Sequence, residues 1–154
     1  MSGMKQQLTN DLTDSMRSRD AMATSTLRMV KAAIMKAEVA GTEAVELNDD
    51  EILVILAAEM KKRVEAADLY DQGGRTELAT KEREEAAIIQ HYLPAALTDD
   101  ELNTIVAAAV AAATIDTSNP GKSMGAIVKA VREQVGQQAD GGRIAAAVKS
   151  QLNG

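Results

Sequence analysis

The sequence predicts an all-α protein: an N-terminal helical domain, residues 1–93, with a long antiparallel helical hairpin, then a small three-helix tail domain, residues 94–154. Three observations carry this. Apolar residues recur at three- and four-residue intervals in seven stretches, and few β-branched residues alternate. The chain is rich in alanine, with eight Met, and it has only two Pro. Helix-start signals stand at the head of several of the stretches.

The first helix, about Met4 to Arg17, sets Leu8, Leu12 and Met16 on one face. Asp20 caps the second, Ala21 to about Val39, whose stripe is Leu27, Val30, Ile34 and Met35, and Gly41 stops it. Asn48 with Glu51 forms a capping box for the third, with Ile52, Leu56, Met60, Val64 and Ala67 on one face. Gln72, Gly73 and Gly74 make a tight turn into a fourth helix, about Arg75 to Tyr92, laced with pairs such as Glu77–Lys81 and Lys81–Glu85. Pro94 ends the hairpin. Beyond it the chain changes character, with five basic and six acidic residues against 12 and 17 before it, which places the boundary near Leu93 to Leu97. Thr98 and Glu101 repeat the capping box ahead of a fifth helix, Asp99 to about Ala113. Asn119 and Pro120 suit Ncap and N1 of a sixth, with Met124, Ile127, Val128, Val131 and Val135 inward. Asp140 caps a seventh, with Ile144, Val148 and Leu152 inward.

Composition excludes several classes of function. With no cysteine there are no disulfides, thiolate chemistry or iron–sulfur clusters, and a reducing compartment fits. The start, Met1 to Thr9, has no apolar core of a secretory signal, and the weakly apolar run Ile105 to Ile115 is too short to span a bilayer. The expectation is a soluble, cytoplasmic protein without a membrane partner. Seventeen basic against 23 acidic residues, net −6, argue against broad adhesion to nucleic acid or anionic lipid, so any RNA contact is local. Two tyrosines with no Phe or Trp leave no platform for base stacking.

Candidate chemistry is sparse. His91, the only histidine, stands at a helix end, where it answers terminal carbonyls or packs, and no site of two imidazoles exists. Asp49-Asp50-Glu51 and Asp99-Asp100-Glu101 occupy first helical turns, where the helix dipole accounts for them better than a metal or an acid pair. Gly73-Gly74-Arg75 and Gly141-Gly142-Arg143 lead into helices whose amides could hold a phosphate, but neither follows a strand. Turn formation accounts for the first pair, whereas Arg143 and Lys149 flank the second. On the sixth helix Lys122, Gly125, Lys129 and Arg132 fall on one face, displaced from the apolar one. Such a strip admits a phosphate backbone, with the glycine permitting close approach; an ordinary solvated face with a glycine kept for helix packing fits equally. Lys61-Lys62-Arg63, with Glu59 and Glu65 in reach, is assigned to solvent. No nucleophile–base or cofactor constellation is seen, and no cofactor or metal is expected.

Taken in order, Thr26-Leu27-Arg28-Met29, Ala32-Ala33-Ile34, Lys61-Lys62-Arg63, Glu65-Ala66, Tyr70, Gly74-Arg75, Glu77-Leu78-Ala79, Lys81-Glu82, Tyr92-Leu93-Pro94, Leu97, Glu101-Leu102, Gly121-Lys122, Met124-Gly125 and Ala139-Asp140-Gly141 form a recognisable series. The chain thereby resembles the YqeY family, similar to the C-terminal region of GatB, the tRNA-handling subunit of glutamyl/aspartyl-tRNA amidotransferases. The resemblance spans nearly the whole chain. It implies a helical domain followed by a three-helix tail of the kind GatB uses to touch tRNA. It does not imply GatB's chemistry, which belongs to a separate cradle domain. A carbon–nitrogen ligase label with glutamine as amido donor would thus be inherited by homology. The chain departs from the family pattern at Gln137, Gln138 and Gly142, where basic residues are common. In that case Gly125 would serve close helix crossing and Asp140 a cap.

The resulting expectation is a non-catalytic adaptor whose tail binds tRNA or another structured RNA near Lys122, Gly125, Lys129, Arg132, Arg143 and Lys149. The alternatives are a protein-docking module using the charged hairpin Lys61 to Arg83, and an accessory part of a tRNA-dependent amidotransferase.

Overall fold

The structure, a computed structural model, describes residues 3–115 and 118–153; Met1 and Ser2 of the polar start lie outside them. The described residues form seven α-helices and no strand, so the fold is all-α. Among them no helix is long and apolar enough to cross a membrane. Two compact units, Met1–Leu93 and Pro94–Gly154, divide the chain.

The first unit holds α1 (Gly3–Arg17), α2 (Ala21–Glu38), α3 (Asp49–Gln72) and α4 (Thr76–Gln90). The Asp20 side chain accepts from the Ala23 N–H and starts α2. Asn48 and Glu51 close a reciprocal capping box on α3. Gly74, at φ 73°, makes the left-handed turn between α3 and α4 that a Cβ would oppose. The core is Leu8, Leu27, Val30, Ile34, Leu47, Ile52, Leu56 and Ile89. Lys5 Nζ sits 2.6 Å from Glu38, which also accepts the Leu47 N–H and so pins the segment between α2 and α3.

Three residues assigned to inward stripes are exposed: Met16, Met35 and Val64. On α1 the last inward position belongs to Ser15, whose hydroxyl donates to Leu12 O and meets the Thr24 hydroxyl. On α2 Ile34 fills the stripe, and Met35, a further 100° round, turns to solvent. On α3 Arg63, not Val64, takes the inward place. The solvent assignment of Arg63 is therefore overturned. Its guanidinium is buried and bonds Glu59 and Glu85, with Met29 Sδ 3.5 Å away. The exposed Lys81–Glu85 pair also fails, because Glu85 is buried on Arg63.

The second unit holds α5 (Asp99–Ala112), α6 (Pro120–Val135), a 3₁₀ turn (Gly136–Gln138) and α7 (Gly141–Asn153). Each of the three α-helices packs against the other two. Thr98 and Glu101 cap α5 reciprocally, and Asn119 accepts from the Lys122 N–H ahead of Pro120. Leu102, Val106, Ile127, Val131, Val135, Ala139, Ile144 and Val148 are the core, with Met124, Val128 and Leu152 packed on it.

Candidate nucleic-acid interface

The second unit is short, and its closure depends on polar side chains near the candidate site. At the end of α6 the Arg132 Nη1 donates to Ala139 O at 2.9 Å and Gly136 O at 3.3 Å, gathering carbonyls that the helix and the 3₁₀ turn leave unpaired. The Gln138 carbonyl accepts the Leu97 N–H, and its amide reaches Ala95 O. Asp140 accepts the Arg143 N–H at 2.8 Å, which caps α7 as its sequence position implies. The Arg143 guanidinium crosses to Leu97 O and Asp99, both at 2.9 Å, and joins the start of α7 to the start of α5. Both arginines of the candidate set thus hold the unit together.

Of the candidate set, Lys122 and Lys129 on α6 and Lys149 on α7 remain free among the described residues. Lys122, Gly125 and Lys129 are exposed, at positions i, i+3 and i+7, opposite the buried Ile127, Val131 and Val135. Neither lysine has a carboxylate partner among the described residues. A Cβ built on Gly125 would meet no atom within 4 Å, which overturns close helix crossing as the reason for this glycine. The strip continues to Arg132, whose Nη2 lies 3.6 Å from the Cβ position of Gly141, at the N-terminus of α7. Lys149, also exposed, stands two turns further along α7, with no hydrogen bond to the strip. The structure therefore sets Lys122, Gly125, Lys129 and Arg132 along one face of α6, brings Arg132 to the α7 N-terminus, and directs Arg143 elsewhere.

The remaining candidates supply little chemistry. An open cleft between α5 and α6 is lined chiefly by alanines, among them Ala108, Ala109, Ala112, Ala126 and Ala130, and offers no acid–base pair. Among the described residues no group of three or more His, Asp or Glu is placed to hold a metal. His91 is exposed, its ring edge-on to Tyr92 at 5.3 Å, so it packs rather than caps with its imidazole. The Tyr92 hydroxyl donates to Asp11; burial and that carboxylate hold its ionisation far above the usual range. Burial pushes the Glu59 carboxyl up, but hydrogen bonds from Arg63 and Lys62 outweigh it and leave Glu59 below its ordinary value.

Sequence reasoning missed the Arg63–Glu85 pair. The signal was present: Ile52, Leu56, Arg63 and Ala67 are spaced four, seven and four, the period of a buried stripe.

Compared with protein families, residues 5–152 match the model described as Yqey-like protein. None of the curated proteins compared with the chain matches it.

Proposed function

The chain belongs to the YqeY family, and we propose that it is a non-catalytic cytoplasmic adaptor whose C-terminal domain, residues 94–154, binds tRNA or similarly structured RNA through backbone phosphates. In this reading the long hairpin and three-helix tail form the two-part architecture that the likeness to GatB implies. The observation that supports it best is the Lys122–Gly125–Lys129 strip. It combines two unpaired cations with a bare stretch of backbone that no neighbouring helix uses. Two ammonium groups about two helical turns apart suit phosphates read by position and shape rather than by base.

The test is tRNA binding as a function of salt, for the native chain and for Lys122→Glu/Lys129→Glu. These lysines are the right targets because Arg132 and Arg143 also close the fold. Micromolar binding that weakens with salt and falls at least about tenfold in the double variant supports the reading. Equal binding by both proteins, or none at low salt, removes it.

A second reading has its own support. On the hairpin Lys61 to Arg83, Val64, Leu69 and Leu78 are exposed, Leu69 at 67%, as a protein-docking module would require. Assistance to a tRNA-dependent amidotransferase, under a carbon–nitrogen ligase label, would then be a property of the partner's active site. A pull-down that survives Lys122→Glu/Lys129→Glu and fails on Leu69→Glu would favour this second reading.

A further inference from the structure

The corner between α1 and α2 carries a feature that the RNA reading does not use, in the other unit of the chain. A shallow depression of about 400 Å³ is lined by Met16, Arg19, Ala21, Thr24, Ser25 and Arg28. No carboxylate lines it. The neighbouring Asp20 is engaged as the N-cap of α2 on the Ala23 N–H. We propose that this depression is a binding site for the phosphate group of a small phosphomonoester, held by the guanidinium groups of Arg19 and Arg28 and the Ser25 hydroxyl.

Half of the eight arginines are engaged by oxygen acceptors. Arg63, Arg83, Arg132 and Arg143 are each bound to carboxylate or carbonyl oxygens. Arg28 is not: its one hydrogen-bond partner is the thioether of Met16, 3.4 Å from Nη2. A thioether is a weak acceptor, so the remaining guanidinium N–H groups of Arg28 are open to a better one. Arg19 has no side-chain partner among the described residues. Arg17 and Arg75 also lack a side-chain partner among the described residues; what sets Arg19 and Arg28 apart is the carboxylate-free concavity that they share.

Backbone geometry adds a second observation. Arg19 has φ 59°, the left-handed conformation at the end of α1, and it is the only non-glycine residue of positive φ among the described residues. The Asp20 N–H returns to Ser15 O and the Arg19 N–H to Met16 O, the helix-end pattern that glycine ordinarily closes. A glycine would fit there without strain; an arginine stands there against that preference, and it lines the depression.

Ser15 spends its hydrogen on Leu12 O, so in the Ser15–Thr24 contact Thr24 donates, and its hydroxyl has no hydrogen left for a ligand. Ser25, exposed and one helical turn before Arg28, is left as the hydroxyl donor. Two guanidinium charges match a dianion, which favours a phosphomonoester over the singly charged phosphodiester of a nucleic-acid backbone.

The full chain would be followed by ¹H–¹⁵N NMR with inorganic phosphate and pyrophosphate as probes, chloride at matched ionic strength as control, and a short RNA without terminal phosphates. Saturable shifts at Arg19 to Arg28 with the phosphates alone are expected. Arg28→Gln should abolish them. Arg19→Gly should weaken binding about tenfold or more while the melting temperature holds or rises, since it removes a charge-assisted contact and relieves the left-handed residue. Shifts that chloride reproduces, or native affinity in Arg19→Gly, would overturn the proposal. Shifts with the RNA alone would overturn it too, by making the corner a contact for nucleic-acid backbone.

Discussion

Arg63 shows how a single side chain departs from the role its neighbours suggest. Set in a run of three basic residues, it is nonetheless 7% exposed and held by Glu85 at 3.1 Å and Glu59 at 2.9 Å. The attraction gained does not by itself mean that the pair adds stability, because both charges lost their hydration. What is costly is removing one partner. Arg63→Met alone is expected to destabilise the first unit by about 3 kcal/mol, since it strands the buried Glu85 carboxylate, and Glu85→Met by less, since Arg63 keeps Glu59. Arg63→Met/Glu85→Met should recover most of that loss, with apolar volume replacing the pair. Urea unfolding of the four proteins closes the cycle; additive losses in the double variant would show that the two residues do not act as a unit.

At the scale of the helix, the legible and illegible parts of the sequence separate by physical cause. Helix existence and most starts were legible, because caps are local: Asp20, Asn48, Thr98, Asn119 and Asp140 all bond the amides of their own first turns. Met35, Val64 and Arg63 were misassigned because burial at the edge of a stripe is decided by neighbours far away in sequence. The candidate strip was legible as helical spacing on α6, but the duties of Arg132 and Arg143 were not. Their acceptors, Ala139 O and Leu97 O, belong to irregular backbone whose path spacing does not define. Gly125 turns this difference into a prediction. In an exposed helix interior with nothing over it, Gly125→Ala should stabilise the second unit by about 0.5–1 kcal/mol. If RNA backbone approaches at that point, the added methyl group should weaken tRNA binding even as the protein melts higher. A gain in stability with affinity unchanged would leave the lysines as the contact and remove the glycine from it.

For the whole molecule the distribution of charge decides how an acidic protein could bind RNA. Residues 1–93 carry net −5, and residues 94–154 net −1 despite the exposed lysines of α6. The second unit has its own apolar core and its own caps, so a fragment of residues 94–154 is expected to fold alone, with helical circular dichroism and a cooperative melt. Freed of the acidic part, it should bind tRNA more tightly than the full chain at low salt. The advantage should shrink as the Debye length falls to roughly 10 Å near 0.1 M salt, because repulsion between separated charges is screened. The slope of log affinity against log salt should nevertheless match in both proteins. With Lys122 and Lys129 as the phosphate contacts it should be roughly −1.4 to −1.8, about 0.7–0.9 per contact. A markedly steeper slope in the full chain would mean that residues 1–93 contribute phosphate contacts of their own, and the strip on α6 would then be one part of a larger RNA surface.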